Sequence, residues 1–195
     1  MTIVLLQQVV GSDWHKLPRV IQRHYEVPDG QSTCLQGTMT IHYPNFILPM
    51  VGIIHLFGGL IFRRGQSVQT QVEKTTSTAG SLLHWQRTMT YPDGKSHFFR
   101  SRMAYLAEHE LIESIGYGFG IRITVHVENG NLVYRSNGHI WQSFGLCLNI
   151  PDCLLLGAAT ISEHAVSDDR FYLDFTIRHP WWGETYSYRG EFGYC

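Results

Sequence analysis

Four side chains, Trp85, Arg87, Phe99 and Ser101, carry the strongest chemical signal in this sequence, because a register argument sets them on one face of a two-stranded ribbon. From Leu83 to Tyr91 the chain alternates Leu83, Trp85, Arg87, Met89 and Tyr91 with polar neighbours, and Pro92-Asp93-Gly94 leads into a second extended run from Lys95 to Tyr105. Proline before Asp-Gly favours a type I turn with a glycine bulge over a two-residue primed turn. With the bulge, Tyr91 faces Lys95, Arg87 faces Phe99 and Trp85 faces Ser101. The two-residue turn would oppose Arg87 to Arg100, and like charges directly across strands destabilise. A guanidinium in aromatic company is partly desolvated and needs an acceptor. Either a carboxylate such as Glu113 supplies it, or the anionic head of a ligand does.

Other chemically suggestive residues read more plainly as structure. Glu108 and Glu110 flank His109 and set two carboxylates on one strand face, a pairing that can do acid–base work but suits a solvated edge better. Eleven histidines are scattered singly, among them His15, His42, His84 and His126, with no H-x-H or H-x-x-x-H spacing for a metal. Gly116, Gly118 and Gly120 alternate with Tyr117, Phe119 and Ile121, which in a strand makes one bare and one aromatic face. They match no dinucleotide loop. No G-x-S-x-G or Cys/His arrangement points to covalent catalysis. Cys34, Cys147, Cys153 and Cys195 show no paired spacing and are expected as free thiols, without zinc or disulfides. No cofactor is expected.

The elements that position these groups surround one apolar stretch, Phe46 to Phe62. It lacks charge, is shorter than the roughly 20 residues that cross a bilayer, and contains Pro49, Gly52, Gly58 and Gly59. We read it as a non-spanning helix that faces a core, a ligand or a membrane surface, with Gly58-Gly59 as its stop and Arg63 and Arg64 at its C-terminal end. A short amphipathic helix is expected from Leu17 to Tyr25, then a turn over Val27 to Gly30 and a strand from Cys34 to Tyr43. From Gln66 the pattern turns to period two. Strands follow from Val68, Leu83 and Lys95, then one from Glu108 to Glu128, and Asn129-Gly130 is the strongest hairpin signal. Asn131 to Ser136, Thr160 to Val166, Phe171 to Arg178 and Tyr186 to Tyr194 complete the set, with an apolar loop from Phe144 to Gly157.

The expected fold is α+β, a strongly curved antiparallel sheet of about eight to ten strands. It forms an open barrel with an N-terminal helix and the apolar helix on its concave side. Residues 1–195 are read as a single domain, since no linker or repeat divides them. Hydrophobic residues at 44% and charged ones at 16% exclude disorder. A net charge of -1 leaves no field for a polyanion, so nucleic acid is not expected as a partner. The first residues lack a basic n-region and a cleavage pattern, which points to a cytoplasmic protein that keeps its start.

Several segments resemble a known family. LHWQRTMTYPDGKSHFFRSRM is similar to the W-x-R-x-F and F-x-S pattern of the uncharacterised "domain of unknown function 4166" family through Trp85, Arg87, Phe99 and Ser101, with Met89 in place of the aromatic. LIESIGYGFG matches through Glu113 and Gly116, FGLCLNIPDCLLLG through Ile150 and Pro151, and FYLDFTIRHPWWGETYSYRG through Phe175, Pro180, Gly183, Tyr188 and Gly190. The resemblance spans most of the chain and implies no activity. It implies a module found alone or joined to oxidoreductase-like or membrane proteins.

Three functions follow from these residues. The first is binding of a lipid-like or other apolar small molecule between sheet and apolar helix, with Trp85, Arg87, Phe99, Ser101, Met50, Ile54, Phe57, Tyr117 and Phe119 as the expected contacts. The second is an accessory domain in peripheral contact with a membrane surface or a partner protein. The third is an enzyme acting on such a molecule, with Arg87 as electrostatic anchor. A cavity above about 300 Å³ would favour the first and third; a solid core with a large exposed apolar patch would favour the second.

Overall fold

The computed structural model describes residues 4–28, 30–77, 82–143 and 145–195. Helix α1 (Leu5–Val10), a 3-10 turn (Gly11–Lys16) and helix α2 (Arg19–Tyr25) come first. Strand β1 (Ser32–His42) follows, then a 3-10 turn (Asn45–Ile47) and helix α3 (Leu48–Leu56). After α3 come β2 (Gly65–Thr76), β3 (Leu82–Thr90), β4 (Ser96–Ala107), β5 (Glu110–Ser114), β6 (Phe119–Glu128) and β7 (Asn131–Ser143). The chain ends with β8 (Leu146–Ile150), a 3-10 turn (Asp152–Leu154), β9 (Ala158–Ala165), β10 (Arg170–His179) and β11 (Gly183–Tyr194).

The barrel is closed, which corrects the open sheet expected from the sequence. Strands run in the order β6-β5-β4-β3-β2-β1-β11-β10-β9-β7, and β6 pairs again with β7, so ten antiparallel strands make a ring with β8 as an extra strand on β7. Closure follows from the long β6–β7 hairpin, whose two arms stay paired from Glu128↔Asn131 to Phe119↔Trp141. Its turn residues, Asn129 (φ 52°) and Gly130 (φ 78°), both take the left-handed conformation that a primed turn requires.

The Pro92-Asp93-Gly94 turn has the expected bulge. Tyr91 N–H donates to the Lys95 carbonyl, Gly94 sits at φ 80°, and Arg87 pairs with Phe99 and Trp85 with Ser101. The single strand expected from Glu108 to Glu128 is instead two strands. His109 turns at φ 59°, and Tyr117 (φ 57°) and Gly118 (φ 82°) turn again between β5 and β6. At Gly118 a Cβ would meet the Gln142 carbonyl oxygen at 2.0 Å, and at Gly116 the Phe57 carbonyl at 3.0 Å. These glycines therefore admit close backbone crossings and do not make a bare sheet face.

One end of the barrel is plugged by the N-terminal helices. Leu6, Val9, Val20, Ile21 and Tyr25 are buried there beside Leu111, Val125 and Leu132 from the strands. The α1 helix was not anticipated, although Leu5, Leu6, Val9 and Val10 recur at helical spacing. Cys34 and Cys195 form a disulfide at this end, overturning the expectation of free thiols, while Cys147 and Cys153 are free and exposed. The pair lies 161 residues apart, so no local spacing announces it. It exists because β1 and β11 are neighbours, with Leu35 opposite Tyr194. The Asp29 of the expected Val27–Gly30 turn and Phe144 of the expected apolar loop lie outside the described residues.

Helix α3 covers the other end, where its Ile53 and Ile54 line the cavity below. It is shorter than the apolar run, ending at Leu56 where Gly58 turns at φ 77°. Val51 is its only fully buried residue, while Phe46, Leu48, Ile53, Leu56 and Phe57 around it are exposed. No helix among the described residues is long and apolar enough to cross a membrane.

Candidate ligand-binding site

A ten-stranded barrel is wider than an eight-stranded one, whose interior side chains just fill the bore. Between α3 and the plug this chain leaves a cavity of about 250 Å³, somewhat under the size set above for an apolar ligand. Its roof is Ile53, Ile54, Phe57, Gly59, Leu60 and Ile61, and its walls include Ile121, Ile123, Ile161, Phe175 and Ile177. Polar lining comes from Arg87, Glu113, Tyr134, Ser136, His139 and Tyr188.

Of the expected contacts, Ile54, Phe57, Arg87, Phe99 and Phe119 meet at this cavity. Phe57 and Phe119 pack with ring centroids 5.0 Å apart. Ser101 is buried behind Arg87 and accepts a hydrogen bond from its Nη1 at 3.1 Å. Trp85 is buried with the Arg87 guanidinium 4.8 Å from its ring centre, and Phe99 receives the same cation at 5.2 Å. Met50 packs partly buried against the core. Tyr117 stands outside at the mouth, edge-on to Phe57.

Arg87 has a carboxylate beside it. Its Nη2 lies 3.8 Å from Glu113 Oε1, near enough for charge attraction and too far for a hydrogen bond. The pair is mostly buried, with side-chain exposures of 15% and 12%. With one hydrogen bond to Ser101 and a loose ion pair, the guanidinium's five donors are far from saturated.

Beneath the cavity lies a second polar group that sequence reasoning missed. Lys74 on β2 is fully buried, and its Nζ lies 2.7 Å from His24 Nδ1 and donates to the His24 carbonyl. Tyr134 Oη donates to Tyr25 Oη at 2.5 Å, and Tyr25 Oη donates to Glu163 Oε1 at 2.8 Å. Burial, with Lys74 nearby, pushes the His24 imidazole down to about 4, and burial lowers the Lys74 amine to about 7. Burial likewise raises both tyrosines well above 10. His24 Nε2, which lies 3.7 Å from Glu163 Oε1, and Glu163 Oε2 and Trp85 Nε1 are buried with no hydrogen-bond partner among the described residues. The period-two pattern marked Lys74 for the inner face with Val68, Thr70 and Val72, and that lysine out of place was the available signal.

A third group joins Ser136 and His139 on β7 to Asp152 after β8. Asp152 Oδ2 accepts from Ser136 Oγ at 2.5 Å, and Oδ1 lies 2.9 Å from His139 Nδ1. Burial pushes the Asp152 carboxyl up, but the His139 and Ser136 contacts and the Gly138 N–H outweigh it and hold it below the usual range.

Around the mouth stands a collar of exposed apolar side chains from separate segments. It comprises Phe46, Ile53 and Leu56 near α3, Tyr117, Leu146 and Leu148 on β8, Leu154, and Trp181 and Trp182 between β10 and β11. Phe46 meets Trp182 edge-on, joining two of these segments.

Residues 17–192 match the model of a family described as "Domain of unknown function (DUF4166)". No curated protein matches the chain. Among solved structures, a de novo designed fluorescence-activating beta barrel aligns at 8% identity and TM-score 0.28, over 82% of this chain and 91% of that one. A protein described as a putative thioesterase II, from Thermobifida fusca YX, aligns at 9% identity and TM-score 0.27, over 87% of this chain and 80% of that one.

Proposed function

This chain belongs to the DUF4166 family, and from that premise we propose that it acts as one domain that binds a small apolar molecule carrying an anionic or carbonyl group. The observation that carries this reading is the cavity of about 250 Å³ whose largely apolar wall includes Arg87. Ligand pockets commonly pair such walls with a few placed polar groups, over volumes of about 300–1,000 Å³. The smaller volume here suits a single ring or short chain, with Arg87 at its polar end and Ser101 behind it. Trp85 and Phe99 hold the guanidinium in place, and Met50, Ile54, Phe57, Tyr117 and Phe119 form or flank the roof.

The test is mass spectrometry of organic extracts from gently purified protein. A small apolar acid or carbonyl compound recovered in near-stoichiometric amount, and lost from Arg87→Met, supports the reading. Empty protein that takes up no such compound from a supplied mixture ends it.

The collar favours a second reading, peripheral contact with a membrane surface or a partner protein. Contiguous exposed apolar groups mark such contacts, and tryptophan and tyrosine favour bilayer interfaces. Sedimentation with vesicles, and its loss on Trp181→Ser, tests it. An enzyme acting on the bound molecule is the alternative favoured by the ionisable groups Arg87, Glu113 and His139 among the cavity's lining. A cytoplasmic setting belongs to the same proposal, and the cysteines give its test. Thiol titration without added reductant should find four thiols in a reducing compartment and two where the Cys34–Cys195 bridge persists.

A further inference from the structure

We infer that His139, with the Asp152 carboxylate beside it, is a general base on the cavity wall that activates water to hydrolyse a small ester bound there. The inference rests on the cavity being a ligand site. It takes the ligand one step further, from a molecule held to a molecule cleaved.

The geometry has three parts. First, His139 and Ser136 both line the cavity, so the group stands where a bound molecule would lie. Second, the carboxylate is fixed. Asp152 Oδ2 accepts from Ser136 Oγ, Ser136 Oγ accepts from the Ala159 N–H at 2.8 Å, and Asp152 is kept ionised by these neighbours. Third, His139 Nδ1 faces Asp152 Oδ1 at 2.9 Å. The contact is close but out of line, and neither atom has another partner among the described residues. The carboxylate charge beside Nδ1 favours a proton on that nitrogen and leaves Nε2 as the basic one. Nε2 makes no hydrogen bond among the described residues.

Ser136 is spent on both sides, donating to Asp152 and accepting from Ala159, so it is not a nucleophile. It clamps the carboxylate. The base must then act on water. Nε2 takes a proton from water as the water oxygen bonds to the ester carbonyl carbon, and the carbonyl π pair moves onto oxygen. When that pair returns, the bond to the alkoxy oxygen breaks and the imidazolium hands its proton to the departing oxygen. Ester and water give acid and alcohol, with His139 restored and no other reactant consumed.

The experiment follows hydrolysis of 4-nitrophenyl acetate by the full chain, with binding of 4-nitroacetophenone, a ketone of similar shape that cannot be hydrolysed, measured separately by saturation-transfer NMR. A general base contributes about 100- to 10,000-fold, so His139→Gln should lose at least about 100-fold in kcat while still binding the ketone, and the wild-type rate should fall in D2O. Asp152 is a positioning residue. Asp152→Asn should lower kcat about tenfold at unchanged KM, and Asp152→Glu should recover part of it. If the ketone binds and His139→Gln hydrolyses as fast as wild type, the inference is overturned while the cavity reading stands. If the ketone and similar small carbonyl compounds do not bind at all, the cavity reading fails and this inference with it.

Discussion

The two ends of this barrel are closed by opposite means. At the plugged end, helices α1 and α2 put Leu6, Val9, Val20 and Ile21 wholly inside, Tyr194 Oη donates to the Val20 carbonyl, and a disulfide ties β1 to the segment after β11. At the mouth, α3 buries one residue fully and shows Leu56 at 74% exposure to the outside. The first end is built as core and the second as a cover. An end that stabilises needs complementary packing, whereas an end that admits a ligand or meets a surface keeps apolar groups unspent.

That contrast predicts where substitutions hurt. Replacing Cys34 and Cys195 together by serine should lower unfolding stability most, by about 4 kcal/mol, because the bridge closes a very long loop. Denaturant titration with and without reductant reads it, and equal midpoints would remove the bridge from the stabilising end. Ile21→Ala should cost about 3 kcal/mol, since α2 has little room to collapse around a fully buried branched side chain.

Acid should loosen the same end. The His24 imidazole ordinarily titrates near 6.5 and in the folded chain near 4. Between these values the unfolded chain holds a proton that the native one refuses, so stability falls as pH drops through that window, by roughly 3 kcal/mol, and levels off below it. Lys74, lowered from 10.5 to about 7, adds a rise in stability with pH across its own window. Urea midpoints from pH 4 to 9 check both. Midpoints that climb toward acid would contradict the buried neutral cluster.

Nearer the mouth, Arg87→Met should cost about 2 kcal/mol by leaving the mostly buried Glu113 without its ion-pair partner, and a second change, Glu113→Leu, should restore most of it. Leu56→Ser should shift stability by less than about 0.5 kcal/mol. A larger loss there would mean that the cover is core after all.

Much of the ribbon that carries Arg87 was legible because it rests on local chemistry. Pro92-Asp93-Gly94 sets the turn, the turn sets the register, and the register sets Arg87 beside Phe99. The Asn129-Gly130 hairpin was legible for the same reason. What escaped was set by partners distant in sequence. Barrel closure needs β1 against β11 and β9 against β7, the disulfide needs that same β1–β11 neighbourhood, and the Lys74–His24 contact needs a helix threaded into a bore. The Gly116-Tyr117-Gly118 turn looked like strand because alternation with aromatic residues imitates it, and only the backbone passing at Phe57 and Gln142 shows why glycine is there. His139 and Asp152 sit in β7 and a loop with no spacing that marks them as a pair.

The disulfide also changes what kind of object the chain is. Residues 34–195 form a covalent ring that contains all ten barrel strands except the first two residues of β1, while α1 and α2 hang from it as a pendant arm. A single cut in the Pro92–Gly94 turn would therefore leave the barrel in one covalent piece, and the strands could be renumbered from that cut without losing a neighbour. The pendant arm has no such tether. Its hold on the bore depends on packing and on the buried contacts of His24 and Tyr25, so it is the one part of the plugged end that could leave without breaking a bond.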